Sequence, residues 1–305
     1  MLNSLKTAGL LGLLSGLLLW IGSYWGGTGL WIALVLAIGM NGFSWFYSDK
    51  LAIKMARAQQ VDASSAPRLH AMVEELAAAA GEPMPRLFVS PSPQLNAFAS
   101  GRNPKHAVVC VNKGLLDTLT EREVRGVIGH ELQHVYNRDI LIGSVAAMIG
   151  TAITYLATVA RWGMIFGGGG RDRDGGNVLG QLAMIILAPI AAMLIQAAVT
   201  RSRESRADHT GAELTQDPVG LARALNKLER GSNDANRLRA GGTPIETNPN
   251  FNHLFITAPF GGRLLPMKLF SSHPPIPDRI KALEPVAREL GQVGPDESIF
   301  DHLAG

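Results

Sequence analysis

The chain carries one cysteine in 305 residues, Cys110, so no intramolecular disulfide can form. The fold therefore does not depend on an oxidising compartment. Cys110 stands in the apolar run Ala107-Val108-Val109-Cys110-Val111, the setting of a buried core thiol rather than a reactive one. Blocks of one charge are lacking too. The net charge of +3 is scattered with no Lys/Arg run, which speaks against a nucleic-acid-binding surface. No internal repeat at solenoid spacing is present. The hydrophobic fraction, 47%, is ordinary for a globular chain, so composition alone does not announce a membrane protein.

The distribution of charge does. Thr7–Trp25, Thr28–Tyr47, Ile140–Ala160 and Val178–Val199 contain no Asp, Glu, Lys, Arg or His. Each run approaches the ~20 residues that cross a bilayer as a helix. The absence of ionisable residues inside them argues against a transporter with a polar path. No small-residue cleavage site separates the first two runs, so they read as a transmembrane hairpin and not as a signal peptide. The turn Gly22–Gly29 lacks Lys and Arg, whereas Lys6 precedes the hairpin and Lys50, Lys54 and Arg57 follow it. That asymmetry places both ends of the hairpin on the cytoplasmic side of a cell (inner) membrane. The third and fourth runs flank the polar stretch Gly167–Gly176. They fit either a second membrane hairpin or two buried helices, since length does not separate these cases. Arg161, Arg171 and Arg173 lie where a membrane hairpin should be poor in positive charge. Pro189 in the fourth run is tolerated in membrane helices.

Between the hydrophobic runs the pattern is mainly α with a small β-sheet, an α+β fold. Leu51–Gly81 reads as amphipathic helix, with Ser64 or Ser65 as an internal cap, Pro67 in a first turn and Gly81 as a stop. Arg86–Ser90, Leu95–Ser100 and Ala107–Asn112 read as strands. Thr120, with Glu123 three residues on, is a capping box that opens a helix. After Arg201 a polar helical stretch runs to about Arg239, and Gly241–Asn252 reads as a loop. The expected organisation is a hairpin at 1–48 (spans 7–25 and 28–47), a first catalytic segment at 49–139, a second apolar hairpin at 140–199 and a second catalytic segment at 200–305.

The capped helix carries His130-Glu131-Leu132-Gln133-His134. Two histidines four apart share one helix face, and one Zn²⁺ can take a nitrogen from each. Glu131 then flanks the metal, where it can accept a proton from an activated water and pass it to a leaving amine. The bland alternative is a pair of solvated histidines on a polar face. A zinc site needs a third protein ligand, and Glu204 in Arg203-Glu204-Ser205-Arg206-Ala207-Asp208 is the candidate. Asp208, four residues later on the same face, can orient a ligand histidine. Taken alone, this stretch fits a charged helix surface better; taken with the upstream histidines, it fits ligation. Two apolar runs separate His134 from Glu204. An even number of crossings returns the chain to the same side, so the ligands can meet whether or not those runs span a membrane.

With these residues in order, the chain resembles the HtpX-type heat-shock zinc proteases, gluzincins related to the CAAX prenyl endoproteases. The likeness rests on two N-terminal runs, H-E-L-Q-H-V-Y-N-R-D at 130–139, a following hairpin and R-E-S-R-A-D at 203–208. It implies a multi-pass membrane endopeptidase with a cytoplasmic active site that cleaves misfolded or damaged membrane proteins. It implies one Zn²⁺ per subunit on His130, His134 and Glu204, with Glu131 catalytic. Its partners are then unfolded or membrane polypeptides and the lipid bilayer. Asn96-Ala97-Phe98-Ala99 resembles the family's substrate-binding edge strand, although an ordinary internal strand explains it too. Ser272-His273-Pro274-Pro275 with Arg279 resembles a family element in which His273 approaches the metal or the oxyanion, or else forms a structural turn. Arg279 fits an ion-pair partner better than a catalytic group. Asn137 and Asp139 match family positions. Asn137 is a candidate to support the metal ligands, and capping of the helix end accounts for both. Four apolar runs are too few for the large membrane chamber of the CAAX enzymes, which favours a quality-control protease.

Overall fold

The computed structural model describes residues 46–166, 178–238 and 274–303, together with isolated positions between 9 and 43. Most of the expected N-terminal hairpin, the stretch 167–177 and the loop at 241–252 lie outside the described residues. The chain divides into two compact units. One comprises Phe46–Ile140 with Arg203–Gly305, and the other Met1–Trp45 with Leu141–Ser202.

In the first unit, helix α1 covers Ser48–Met55 and strand β1 Gln59–Val61. The amphipathic helix expected over Leu51–Gly81, with Ser64 or Ser65 capping its second part, is thus interrupted by a strand, and the residue before its second part is Ala66. Arg57 adopts a left-handed φ of 49°, and the chain reverses so that Gln59–Val61 pairs antiparallel with Val89–Leu87. Pairing with β2 overrides the local helical pattern here, since helix propensity is a weak bias that tertiary contacts outweigh. After β1, Asp62 accepts from the backbone N–H groups of Ser64 and Ser65, making a turn of its own. Helix α2, Pro67–Ala79, then starts with Pro67 in its first turn, and Gly81 at φ 65° follows it. Only a residue without Cβ adopts that φ at little cost.

Strands β2 (Arg86–Ser90), β3 (Ala97–Ser100) and β4 (Val108–Asn112) complete a four-stranded mixed sheet of order β1-β2-β4-β3. β4 pairs parallel with β2 and antiparallel with β3, which leaves β3 at one edge. All five β4 residues are buried, as expected for an apolar run covered on both faces. Cys110 is among them, and burial pushes its thiol up to about 12.

A short helix α3, Lys113–Thr118, leads into α4, Glu121–Tyr136, whose capping box is formed by Thr120 and Glu123. Helix α5 is Asp139–Phe166, α6 Val178–Thr215, α7 Pro218–Leu238 and α8 Ile276–Glu289. The core gathers Ile128 and Leu132 of α4, Leu221, Leu225 and Leu228 of α7, and Ile280 and Leu283 of α8. α6 does not stop at the end of the fourth apolar run. It continues without a break through the polar stretch that holds Glu204 and Asp208.

In the second unit, Ala146, Ile149, Ala152, Ile153 and Leu156 of α5 pack with Ala188, Ala192 and Val199 of α6. Small residues on the facing sides allow close contact between the two helices. Gln196 donates to the Ala146 carbonyl at 3.2 Å, over Gly150, where a Cβ would meet its amide. Among the described residues one stretch, Ile185–Thr215, is long and apolar enough to cross a membrane, and Met148–Thr158 is a shorter apolar helix.

Candidate metal centre

The site lies in the larger unit, where α4 and the polar end of α6 touch at glycines. A Cβ on Gly211 would stand 2.9 Å from the His130 Cα, and one on Gly129 would meet Thr215 Cγ2 at 2.3 Å. Each mid-helix glycine costs roughly 1 kcal/mol relative to alanine. Here that cost permits the close approach of two backbones. Glu204, Asp208, Gly211 and Thr215 follow one another at spacings of four, three and four, so one face of α6 meets α4.

On that face the donor atoms converge. His130 Nε2 and His134 Nε2 are 3.2 Å apart. Glu204 Oε1 is 3.2 Å from His134 Nε2, and its Oε2 is 3.6 Å from His130 Nε2. Zinc ligand bonds of about 2.0–2.2 Å at tetrahedral angles set ligand atoms roughly 3.3–3.6 Å apart. The three side chains match that spacing and fit the ion. All three are within reach of one cation, and His130 and Glu204 are buried.

Further carboxylates orient the imidazoles from behind. His134 Nδ1 lies 2.9 Å from Asp139 Oδ2, and His130 Nδ1 lies 2.9 Å from Asp208 Oδ1. Both contacts turn Nε2 towards the common point. Burial works against positive charge at His134, but Glu204 and Asp139 outweigh it and hold its pKa well above 6.5. The field that favours a proton on these rings also favours a divalent cation. Burial would likewise raise Asp208, yet Arg279 prevails and lowers it. Arg279 grips Asp208 in a bidentate pair, Nε to Oδ2 at 2.8 Å and Nη2 to Oδ1 at 2.6 Å. Its Nη1 is 3.5 Å from Glu204 Oε2, and the whole side chain is buried. Arg203 donates to the Asp139 carbonyl, which secures the junction of α4 and α5.

Glu131 is buried, and burial raises its pKa against the opposing pull of both histidines. Its Oε2 accepts from the Ala99 N–H at 3.0 Å. Ala99 belongs to β3, and the Asn96 carbonyl just before that strand accepts from Asn112. Asn96 and its alternate neighbours Phe98 and Ser100 therefore bond towards β4, while Ala97 and Ala99 turn their backbone groups to the open edge. Asn96, Ala97, Phe98 and Ala99 are all buried beside α4.

Asn137 stands elsewhere than the support role expected for it. It follows the end of α4 and its amide faces Gln133 at 3.5 Å, while the carboxylate on His134 is that of Asp139. The chain reaches that point because Arg138 adopts a left-handed φ of 56°, turning Asp139 back on the helix it has just left. His273 lies outside the described residues. Residue spacing did not single out Asp139, Arg203 or Arg279 as parts of the centre. The only available signal was a carboxylate directly after the second histidine's helix turn.

Residues 63–287 match the sequence profile described as Peptidase family M48. The chain belongs to peptidase family M48. A relative from Persephonella marina described as "Protease HtpX homolog" is 48% identical over 293 residues, covering 96% of this chain and 100% of the relative. A "Protease HtpX homolog" from Thermococcus kodakarensis is 48% identical over 289 residues, covering 94% and 97%. The crystal structure of S. mikatae Ste24p is similar in fold, with a TM-score of 0.54 at 20% identity over 93% of this chain and 65% of that one. As an M48 member close to the HtpX homologues, the chain is a membrane-associated zinc metalloprotease that acts on polypeptides. His130, His134 and Glu204 supply a donor set suited to the zinc on which M48 enzymes depend.

Proposed function

We propose that this M48 protease is a multi-pass endopeptidase of the cell membrane with its active site on the cytoplasmic side, degrading misfolded or damaged membrane proteins. His130, His134 and Glu204 hold one Zn²⁺ per subunit. When bound there, zinc supplies Lewis acidity, polarising the scissile carbonyl and acidifying a water. Glu131 accepts the proton of the attacking water and delivers it to the departing nitrogen. Its burial beside the three donors places the carboxylate where it can carry a proton between these two steps. Asp139 and Asp208 hold the imidazoles in register, and Arg279 keeps Asp208 charged. The substrate is read as an added strand along β3, through the backbone groups of Ala97 and the carbonyl of Ala99, with Asn96 and Phe98 framing the edge. Main-chain reading suits a protease of unfolded segments, since it demands no particular side chain. The four segments 1–48, 49–139, 140–199 and 200–305 alternate between membrane anchor and catalytic unit.

The observation that carries this reading is the position of Glu131. Its carboxylate adjoins the three converging donors and also bonds an edge-strand N–H at 3.0 Å. A purely structural zinc site has no use for a buried base between metal and strand. The test is Glu131→Gln in the full chain, purified in detergent under chelation and then reloaded with zinc. Casein cleavage should fall by about 10²–10⁴-fold, with zinc stoichiometry unchanged by elemental analysis. Parental cleavage by that variant would sink the mechanism.

A further inference from the structure

Helix α1 has two unlike faces. Inward, Ala52, Ile53 and Ala56 pack against Phe88 and Phe98 of the sheet. An ion pair of Asp49 with Arg86 at 2.8 Å and a bond from the Ser90 hydroxyl to the Ala56 carbonyl at 2.7 Å fix the helix's rotation. Outward, Tyr47, Leu51 and Met55 follow at intervals of four and are 46%, 39% and 43% exposed, beside Phe46 at 55%. A single exposed apolar side chain needs no explanation, but a contiguous row does. Cations accompany the row. Lys50 and Lys54 are exposed, and the Lys50 ammonium lies 5.7 Å over the Tyr47 ring. Arg102, from the loop after β3, lies 5.7 Å over the Phe46 ring.

Aromatic and aliphatic side chains in a row flanked by lysines suit the boundary between acyl chains and headgroups. Lysine stems can lie along apolar surface while the ammonium reaches phosphate. The only acid on this helix, Asp49, is already engaged by Arg86, so the outward charge is positive. In sequence, α1 directly follows the charge-free run 28–47 of a membrane-associated protein. We propose that α1 lies in the headgroup layer of an anionic bilayer, with Tyr47, Leu51 and Met55 in the acyl boundary and Lys50 and Lys54 on lipid phosphates. The edge strand β3 then ends beside that layer, because Arg102 follows Ser100 by two residues. This inference rests on the membrane association and not on the peptidase chemistry.

The test places a nitroxide at Leu51→Cys or Met55→Cys in the full chain, in nanodiscs of phosphatidylcholine with or without phosphatidylglycerol. Glu74→Cys, an exposed site on α2, serves as the aqueous control. Cys110 is fully buried and escapes labelling. With phosphatidylglycerol, labels at 51 and 55 should be relaxed by oxygen and shielded from a water-soluble nickel chelate, unlike the label at 74. Lys50→Glu with Lys54→Glu should move both labels towards the aqueous reagent and leave casein cleavage unchanged. Chelate access at 51 and 55 equal to that at 74 overturns the proposal. So does exclusion of both reagents, which would mean that polypeptide covers this face. Equal depth in phosphatidylcholine alone and after charge reversal overturns the anionic assignment. Depth is read without substrate, so each of these failures leaves the role of Glu131 standing.

Discussion

Helix α6 begins in one chemistry and ends in another. From Val178 to Val199 it has no charged residue, and among the described side chains those buried are Ile185, Ala188, Ala192, Ala197 and Val199. From Arg201 to Thr215 it carries Glu204 and Asp208, both buried. The backbone is helical throughout, so helix propensity does not distinguish the halves. What differs is the means of holding a neighbour. The first half uses close packing of small residues and one amide. The second uses charges that are tolerable in the interior only because each has a partner. A buried charge is destabilising as soon as its partner is removed, whereas an apolar contact weakens by degrees.

That contrast can be broken first at Arg279. Arg279→Met should destabilise the protease by about 3–5 kcal/mol, because Asp208 would remain buried without its bidentate cationic partner, and urea unfolding of the purified chain would measure it. A loss no larger than that of a surface substitution would mean that solvent reaches Asp208. Next in size is Asp139→Asn. It keeps the shape but removes the charge behind His134, and zinc affinity should fall by roughly 10–100-fold in competition with a chromophoric chelator.

A smaller effect is expected at Glu123, which caps α4 and pairs with Lys227 at 2.8 Å. Burial alone would raise its carboxyl, but Lys227 and Thr120 outweigh burial and bring it below 4.5. A lowered folded-state pKa adds stability above about the unfolded value, and this is lost as pH falls through the folded one. Glu123→Gln should therefore cost about 1 kcal/mol at pH 7 and flatten the decline of melting temperature on the acid side. The smallest effect belongs to the apolar half. Gln196→Leu removes the bond to Ala146, and the loss should be about 0.5 kcal/mol, the low end of the net contribution of an intramolecular hydrogen bond. A cost as large as that at Arg279 would erase the distinction between the two halves.

Much of this was legible without coordinates. The capping box at Thr120, the stop at Gly81 and the histidine pair depend on contacts within a few residues, and strand β2 shows as a short apolar run bounded by turn residues. The break in the expected helix at 51–81 was not legible, because Gln59–Val61 becomes a strand only when β2 lies beside it. The pairing of Asp139 with His134 was not legible for a similar reason. A carboxylate five residues beyond a histidine does not share its helix face, and only the left-handed turn at Arg138 returns it.

By itself the sequence determined the kind of chemistry. Two imidazoles one helical turn apart, a glutamate beside the first and a further carboxylate helix specify a zinc peptidase, because spacing along a helix is spacing in space. Only the tertiary structure sets the Glu204 carboxylate, seventy residues along the chain from His134, within 3.6 Å of both imidazoles and brings Arg279 to Asp208. Both depend on α4, α6 and α8 meeting at glycines and buried charges, and contacts between separate helices leave no periodic trace in a chain.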